Sequence, residues 1–161
     1  MIASADLDWG IGKDGNLLYH IPDDMRFFKE MTVGKTVVMG RSTLESLPNG
    51  KGLPDRRNIV LSKGGNVNAE GVEVCSSVDE VLEKTKDDDV MIIGGESVYR
   101  EFLPYCDTAY VTRVFSKSNA DRHFPDLDSD AEWYIERTTP THASRGMCFE
   151  FVTYKRKKKD G

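Results

Sequence analysis

The sequence lacks any long apolar run and any pattern that would send the chain to a membrane. No hydrophobic stretch approaches the roughly 20 residues that a membrane-spanning helix needs. The first residues carry neither the basic region nor the cleavage pattern of a signal peptide. We therefore expect a cytoplasmic protein that does not bind membranes.

Cysteine and histidine are scarce, and neither is spaced for a disulfide framework or a metal site. Cys75, Cys106 and Cys148 show no motif spacing and cannot all pair, so we expect free thiols in a reducing compartment. The three histidines are scattered and do not have the spacing of zinc ligands. These residues predict no metal site.

Basic residues are not in excess. The chain has 22 Lys and Arg against 27 Asp and Glu, and its net charge of −5 argues against a nucleic-acid partner. The 161 residues contain no internal repeat or linker, which predicts one domain over 1–161. We expect a monomer whose basic segment 155–161 is a frayed tail.

Apolar runs that alternate with amphipathic stretches predict an α/β fold. The runs at 37–39 and 90–93 are apolar throughout, which is typical of parallel strands covered on both faces. Strands are predicted at 1–5, 37–39, 58–61, 71–75, 90–93, 110–114, 133–139 and 147–154, and helices at 21–29, 41–47, 77–84 and after 95. We expect a mostly parallel, twisted central sheet with flanking helices, an antiparallel C-terminal hairpin at its edge, and a flexible loop at 8–16.

One carboxylate stands where a lone acid is unexpected. In the helix predicted at 21–29, Pro22 fits the first turn, and Asp24 and Phe28 share the apolar face because they are four residues apart. Asp23 has the simpler interpretation of an acid that favours a helix start. Lone acids are rarely buried, so Asp24 is a candidate functional residue, with a helix-start acid as the alternative.

Polar residues follow three of the predicted strands, at 41–43, 62–63 and 94–97. Ligands of α/β sheets bind beyond the carboxyl ends of the strands, and these side chains suit phosphates. None of the three clusters pairs a nucleophile with a base. Gly10 and Gly12 lack the third glycine and the long helix of the dinucleotide fingerprint, so they are a weak signal.

Short motifs occur along the chain in a specific order: Trp9-Gly10-Ile11-Gly12, Ile21-Pro22-x-Asp24-Met25-x-x-Phe28, Val38-Met39-Gly40-Arg41-x-Thr43-x-Glu45-Ser46, Leu53-Pro54-x-Arg56-x-Asn58, Ile93-Gly94-Gly95 with Val98-Tyr99, Thr112, and His123-Phe124-Pro125. From about Ile2 to Tyr154 the chain resembles dihydrofolate reductases of the bacterial chromosomal type. The resemblance implies that a hydride passes from NADPH to C6 of 7,8-dihydrofolate and a proton to N5, in tetrahydrofolate biosynthesis and one-carbon metabolism. It also implies that antifolates bind.

The resemblance further implies which residues carry the reaction. The catalytic group would be Asp24, Thr112, Tyr19 and Leu17. The substrate would contact Ile2, Ala3, Asp24, Met25, Phe28, Ser46, Leu47, Leu53, Arg56, Ile93 and Thr112, with Arg56 holding the glutamate carboxylate. NADPH would contact Ala3, Ile11, Gly12, Asn16, Leu17, Gly40, Arg41, Ser42, Thr43, Leu61, Ser62, Lys63, Ile93, Gly94, Gly95, Glu96, Ser97, Val98 and Tyr99, and the Gly94–Gly95 peptide bond would be cis.

The sequence departs from the family pattern at a few positions. Leu18 and Tyr19 stand where the family usually has proline and tryptophan, the latter helping to hold a water near the acid. Glu96 replaces a small residue and would bring a negative charge near the pyrophosphate unless it turns outward. Ser97 stands where some relatives have an arginine, which leaves more of the adenosine phosphate to Arg41 and Lys63.

Two other functions are compatible with parts of the pattern. A pyrimidine reductase of riboflavin synthesis shares the fold and uses NADPH, but it lacks the signature from Asp24 to Phe28. A non-catalytic nucleotide-binding module would explain the phosphate clusters and leave the carboxylate on an apolar face without a purpose. Turnover of dihydrofolate would distinguish the enzyme from both.

Overall fold

A computed structural model describes residues 1–158 of the chain. Its strands are β1 (Ile2–Ala5), β2 (Gly10–Lys13), β3 (Asn16–Leu17), β4 (Thr36–Gly40), β5 (Arg57–Leu61), β6 (Glu73–Cys75), β7 (Val90–Gly94), β8 (Thr108–Val114), β9 (Arg122–His123), β10 (Trp133–Thr138), β11 (His142–Ser144) and β12 (Met147–Arg156). Its α-helices are α1 (Pro22–Thr32), α2 (Arg41–Ser46), α3 (Val78–Lys84) and α4 (Glu96–Phe102), and short 3₁₀ turns lie at Pro48–Gly50 and Leu103–Tyr105. Among these residues no helix is both long and apolar enough to cross a membrane.

The strands form a parallel half and a mixed half. Strands β6, β5, β4 and β7 are hydrogen-bonded in that order and all run parallel. Strand β1 lies beside β7 and pairs in parallel with β8, after which β12 and β10 add antiparallel strands. The expected α/β architecture, with its parallel centre and antiparallel C-terminal edge, is confirmed.

The centres of strands β4 and β7 are apolar throughout because helices cover both of their faces. Val37 and Met39 belong to one core cluster, together with Phe28 of α1 and Leu44 of α2. Val38 lies between them in sequence and belongs to the opposite cluster, which Phe102 of α4 also joins. Successive residues of a strand point to opposite faces, so a continuous apolar run supplies both cores.

One prediction about a loop is wrong. Segment 8–16 is largely ordered as strands β2 and β3, joined at Asp14 and Gly15, where φ is 51° and 80°. A turn with two such residues matches the twist of paired strands, and Asp-Gly favours it. Before β7, the exposed Asp88 carboxylate accepts bonds from Thr36 Oγ1 at 2.9 Å and Arg57 Nη1 at 2.8 Å.

The predicted frayed tail begins too early. Strand β12 continues to Arg156, whose guanidinium lies 4.7 Å from the centre of the Trp133 ring and donates to the Cys106 carbonyl at 2.9 Å. Lys155 donates to Thr108 Oγ1 at 2.8 Å. These contacts with distant residues hold a segment that its composition alone marked as solvated. Residues 159–161 of the predicted tail lie outside the described residues.

Candidate active site

Helix α1 brings the Asp24 carboxyl against the paired strands β1 and β8. Asp24 Oδ1 accepts a hydrogen bond of 2.5 Å from the hydroxyl of Thr112, a buried residue of β8. Thr112 is the register partner of Ser4 on β1, so the two hydroxyls lie side by side on neighbouring strands. Asp23 instead forms an ion pair with Arg26 on the same helix.

The environment of Asp24 favours its neutral form. Burial raises the pKa of the Asp24 carboxyl above its ordinary value, while the hydroxyls of Thr112 and Ser4 oppose the rise by favouring the ionised form. The Ser4 hydroxyl is close enough to act on the carboxyl, yet it does not have the geometry of a normal hydrogen bond. Asp24 is therefore an acid that can hold a proton at a higher pH than an exposed aspartate.

Apolar residues from β1, β7 and α1 pack close to this acid. Ile2 and Ile93 are buried in the cluster that also takes up Phe28, Leu47 and Leu53. Of the other predicted substrate contacts, Ala3 is half-buried, Met25 is 61% exposed on α1, and Ser46 is exposed at the end of α2. Ile2, Phe28, Leu47, Leu53 and Ile93 thus form one apolar wall, and Met25 lies outside it.

The two neighbouring arginines point in different directions, as alternation along an extended segment requires. Arg56 donates from Nη1 to Thr32 Oγ1 at 2.9 Å and from Nε to the Pro54 carbonyl at 2.8 Å. Its Nη2 donates to no side chain or carbonyl among the described residues. Arg57 instead forms ion pairs with Glu73 at 2.6 Å and Asp88 at 2.8 Å. Arg56 therefore keeps a donor for a ligand, while Arg57 holds the sheet.

A close approach of main chain marks the junction between β7 and α4. The Gly94–Gly95 peptide bond is cis, as the family resemblance implied. Gly94 has a φ of 124°, which side chains rarely adopt, and it lies against the ring of Tyr99. The Tyr99 hydroxyl donates to the Ile2 carbonyl at 2.7 Å and thereby ties α4 to β1. Val98 is buried beside Gly40, where an added Cβ would lie 2.9 Å from Val98 Cγ2.

Polar side chains surround this junction at the ends of β4 and β5. Arg41 and Ser42 are exposed at the start of α2, and Thr43 Oγ1 would lie 3.7 Å from a Cβ on Gly95. Ser62 is half-buried directly after the buried Leu61. The two exposed cations have acidic partners: Arg41 pairs with Glu45 at 3.2 Å, and Lys63 pairs with Glu101 at 3.0 Å.

The unusual Glu96 is turned toward β9. Its Oε1 accepts a 2.8 Å hydrogen bond from the His123 main-chain N–H and lies 4.0 Å from Arg100 Nη2. The neighbouring Ser97 is exposed. The carboxylate of Glu96 thus has its own donors, as expected if it turns outward.

The hairpin of β2 and β3 carries four more predicted site residues, Ile11, Gly12, Asn16 and Leu17. Ile11 is buried and packs the hairpin against the core, whereas Leu17 is 65% exposed. Tyr19 follows the hairpin, and its hydroxyl faces Asp6 Oδ2 at 3.5 Å rather than donating to Asp24. The tyrosine that stands in place of the usual tryptophan therefore points its hydroxyl at Asp6.

Sequence reasoning missed two polar residues near the site, Ser4 and Asp6. Asp6 is fully buried, and its carboxylate accepts bonds from the Asp8 and Gly10 main-chain N–H groups at 2.9 and 2.8 Å and from Ser118 Oγ at 2.7 Å. The one available signal was position: each residue interrupts or ends the first apolar strand. Nothing local indicated the distant partners Thr112 and Ser118.

A separate cavity of about 360 Å³ opens near the starts of β7 and β8, away from Asp24. The charged side chains along it already have partners, since Lys35 lies 3.5 Å from Asp89 and Lys86 lies 3.2 Å from Glu83. Among residues 1–158 no cluster of His, Cys, Asp and Glu could hold a metal ion. The chemistry-bearing groups therefore converge at Asp24 and the strand ends.

Known proteins share this fold and sequence. A family model described as dihydrofolate reductase matches residues 1–156. The dihydrofolate reductase type 3 of Salmonella typhimurium is 45% identical over 150 residues, covering 92% of this chain and 91% of that protein. The dihydrofolate reductase of Bacillus subtilis (strain 168) is 34% identical over 158 residues, covering 97% of this chain and 93% of that protein.

A solved structure agrees with the sequence matches. The dihydrofolate reductase from Enterococcus faecalis, complexed with NADP(H) and RAB-propyl, superposes with a TM-score of 0.88 at 35% identity. The match covers 98% of this chain and 95% of that one. With an acid on the apolar face of α1, a cis Gly94–Gly95 bond and these matches along nearly its whole length, this chain belongs to the dihydrofolate reductase family.

Proposed function

We infer that this chain reduces 7,8-dihydrofolate to 5,6,7,8-tetrahydrofolate with NADPH, adding hydride at C6 and a proton at N5. The observation that carries the inference is the Asp24 carboxyl, held at 2.5 Å by Thr112 in an environment whose burial raises its pKa. An acid whose pKa is raised in this way can help place a proton on a ring nitrogen. Membership of the dihydrofolate reductase family agrees with it.

The apolar wall near Asp24 suits a flat aromatic ring. Ile2, Phe28 and Ile93 pack into one cluster beside the acid, and we propose that they hold the pterin against it and exclude water. Leu47, Leu53 and Ala3 would extend this wall, and the exposed Met25 and Ser46 would border it. Tyr19 and Leu17 would close the opposite border, from the hairpin side.

Arg56 suits the carboxylate of the substrate's glutamate tail. Its Nε and Nη1 are fixed by Pro54 and Thr32 at 2.8 and 2.9 Å, which leaves Nη2 to bind a carboxylate without a search over rotamers. A guanidinium held in this way loses less side-chain entropy on binding than a lysine would.

The residues at the strand ends fit NADPH. Gly95 is half-buried, and a Cβ on it would meet Thr43 Oγ1 only at an ordinary contact distance of 3.7 Å, so a ligand can approach this main chain; a side chain on Gly40 would collide with Val98. We propose that Arg41, Ser42, Thr43, Ser62 and Lys63 hold the phosphates, and that Ile11, Gly12, Asn16, Leu61, Glu96, Ser97 and Tyr99 border the rest. The cofactor supplies the hydride when bound, and the chain orients it and keeps water away.

We also propose that the chain acts as a monomeric single domain in the cytoplasm. Asp24, Thr112, Arg56 and the strand-end residues all come from one copy, so the site needs no second one. The three cysteines are unpaired, which fits a reducing compartment. Size-exclusion chromatography with light scattering would test the monomer directly.

The activity is tested by following the absorbance of NADPH with dihydrofolate as the second substrate. We expect turnover that depends on both, and inhibition by antifolates that compete with dihydrofolate. NADPH binding without turnover would instead support the nucleotide-binding module.

A further inference from the structure

The Ser4 hydroxyl is a buried donor without an acceptor. Its Oγ is inaccessible to solvent and makes no hydrogen bond of normal geometry among the described residues. An unpaired buried hydroxyl is costly, by roughly 1–3 kcal/mol, so the position calls for a reason. Alanine or valine would fill a strand beside a hydrophobic core without this cost.

The backbone directs Ser4 toward the acid. Ser4 and Thr112 are register partners on the parallel strands β1 and β8, so their side chains leave the sheet on the same side. Thr112 reaches Asp24 Oδ1 at 2.5 Å, and Ser4 lies close enough to favour the ionised form of the same carboxyl. Asp24 Oδ2 accepts no hydrogen bond from a described residue, so a lone donor faces an open acceptor.

We propose that Ser4 is a positioning residue for the proposed reaction, a second hydroxyl that donates to the Asp24 carboxylate when it is ionised. Rotation about one side-chain bond aims the hydroxyl hydrogen at the acid, and Thr112 fixes the other oxygen. The pair of hydroxyls lowers the pH at which Asp24 loses its proton, against the effect of burial. This inference rests on the proposed function only for its catalytic consequence.

Few other groups compete for Asp24. Tyr99 faces it from α4, and burial raises the pKa of Tyr99 further above its ordinary value, so it stays neutral while Asp24 titrates. On α1 itself, Asp23 and Arg26 neutralise each other. The Tyr19 hydroxyl, which enters from the segment before α1, faces Asp6. A shift after a change at Ser4 can therefore be traced to its hydroxyl.

The test measures the titration of Asp24 directly, in protein labelled with ¹³C at aspartate carboxyl carbons and without substrate. The signal of Asp24 is assigned by its loss in Asp24→Asn. Ser4→Ala should raise the titration midpoint by roughly one to two units, the scale of a hydrogen bond to a charged group. Ser4→Thr keeps the hydroxyl and should keep the midpoint, and Ser144→Ala on the distant β11 serves as the matched control.

Two results would overturn the proposal: a midpoint in Ser4→Ala within about 0.2 unit of the parent, or an equal rise in Ser4→Thr. If Ser4→Ala does not fold, Ser4→Cys, whose thiol is a weak donor, should still raise the midpoint. In turnover assays, the fall in rate at high pH should move upward by the same amount in Ser4→Ala. A shifted midpoint in a chain that does not reduce dihydrofolate would defeat the proposed function and leave the role of Ser4 intact.

Discussion

At the scale of single residues, the charge of Asp24 has opposite effects on the fold and on the reaction. Because burial raises the carboxyl pKa, the ionised form destabilises the fold as pH climbs through that value. Asp24→Asn removes this charge, so the melting temperature near neutral pH should hold or rise, with a smaller gain in acid, where the parent is protonated. Reductase activity should fall by orders of magnitude and partly return as pH drops, because substrate can then arrive already protonated from solution.

The Asp24 prediction is checked by melting curves and turnover over the same pH range. Asp23→Asn is the control, because Asp23 pairs with the exposed Arg26 on the outer side of the helix. It should leave activity nearly unchanged. Near-normal turnover of Asp24→Asn at neutral pH would contradict the assignment, and an unfolded variant would mean that the carboxylate is structural.

Arg56 and Arg57 allow a matched comparison of the same substitution at adjacent positions. Arg56→Lys should raise KM for dihydrofolate severalfold. The KM for a pterin that lacks the glutamate tail should stay nearly unchanged. Arg57→Lys should keep both KM values but lower the free energy of unfolding by up to roughly 1 kcal/mol, since its pairs with Glu73 and Asp88 are partly exposed. Equal losses on both substrates would show that Arg56 supports the loop instead.

At the scale of elements, Asp6 joins three segments that border the site. Its carboxylate binds the turn after β1 through Asp8 and Gly10, the loop after β8 through Ser118, and the segment before α1 through Tyr19. Asp6→Ala would leave buried donors unpaired and should lower the free energy of unfolding by roughly 2–4 kcal/mol. We also expect faster amide hydrogen exchange over residues 7–19 than in the parallel strands.

The control for Asp6 is Asp8→Ala, because Asp8 is exposed and takes part in this contact through its main chain. It should change neither stability nor exchange appreciably. Uniformly faster exchange in Asp6→Ala, with no excess at 7–19, would show that Asp6 supports the core as a whole rather than these segments.

We expect the ends of β4 and β5 to determine which cofactor is used. Arg41→Ala removes an exposed guanidinium and should weaken the binding of NADPH by at least about tenfold, since a charge-assisted hydrogen bond contributes roughly 1.5–3 kcal/mol. NADH lacks the extra phosphate and should bind almost as before. Glu45→Gln, which removes the acidic partner of Arg41 at 3.2 Å, should leave NADPH binding equal or tighter. The test measures the dissociation constants of both cofactors. Equal weakening of NADPH and NADH binding by Arg41→Ala would exclude recognition of the extra phosphate by Arg41.

The elements differ in how far the sequence alone predicts them. Apolar runs such as 37–39 locate the buried strands, and the spacing of Asp24 and Phe28 places the acid on the correct face of its helix. Ser77 caps α3, and its hydroxyl accepts from the Glu80 N–H at 3.1 Å. The Glu80 carboxylate accepts from the main-chain N–H of Ser76. The hairpin at 10–17 has a local signal in Asp14-Gly15, whereas the end of β12 depends on pairing with distant strands, which local composition does not encode.

At the scale of the whole molecule, the site spans both halves of the sheet. Asp24 is held by β8 of the mixed half, whereas the proposed phosphate residues follow β4 and β5 of the parallel half. Tyr99 connects the halves through its 2.7 Å bond to Ile2, and β1 lies beside β7. A ligand that touches both halves should therefore stabilise them together, as one cooperative unit.

Two natural probes near opposite edges of the molecule test this cooperativity. Cys75 is buried on the edge strand β6, and Trp133 is buried on β10 at the other edge. In a urea titration of a Trp9→Phe variant, whose remaining tryptophan is Trp133, labelling of the Cys75 thiol and tryptophan fluorescence should share one midpoint. NADPH at about 100 times its dissociation constant should stabilise the fold by about 2.7 kcal/mol and move both probes equally. Cys148 is exposed and should react at every urea concentration, so it is the labelling control in the parent chain. For the Cys75 measurement, Cys148 and the half-buried Cys106 are both replaced by serine. Labelling of Cys75 at urea concentrations where fluorescence is still native, or a shift of one probe alone with NADPH, would show that the parallel half opens by itself.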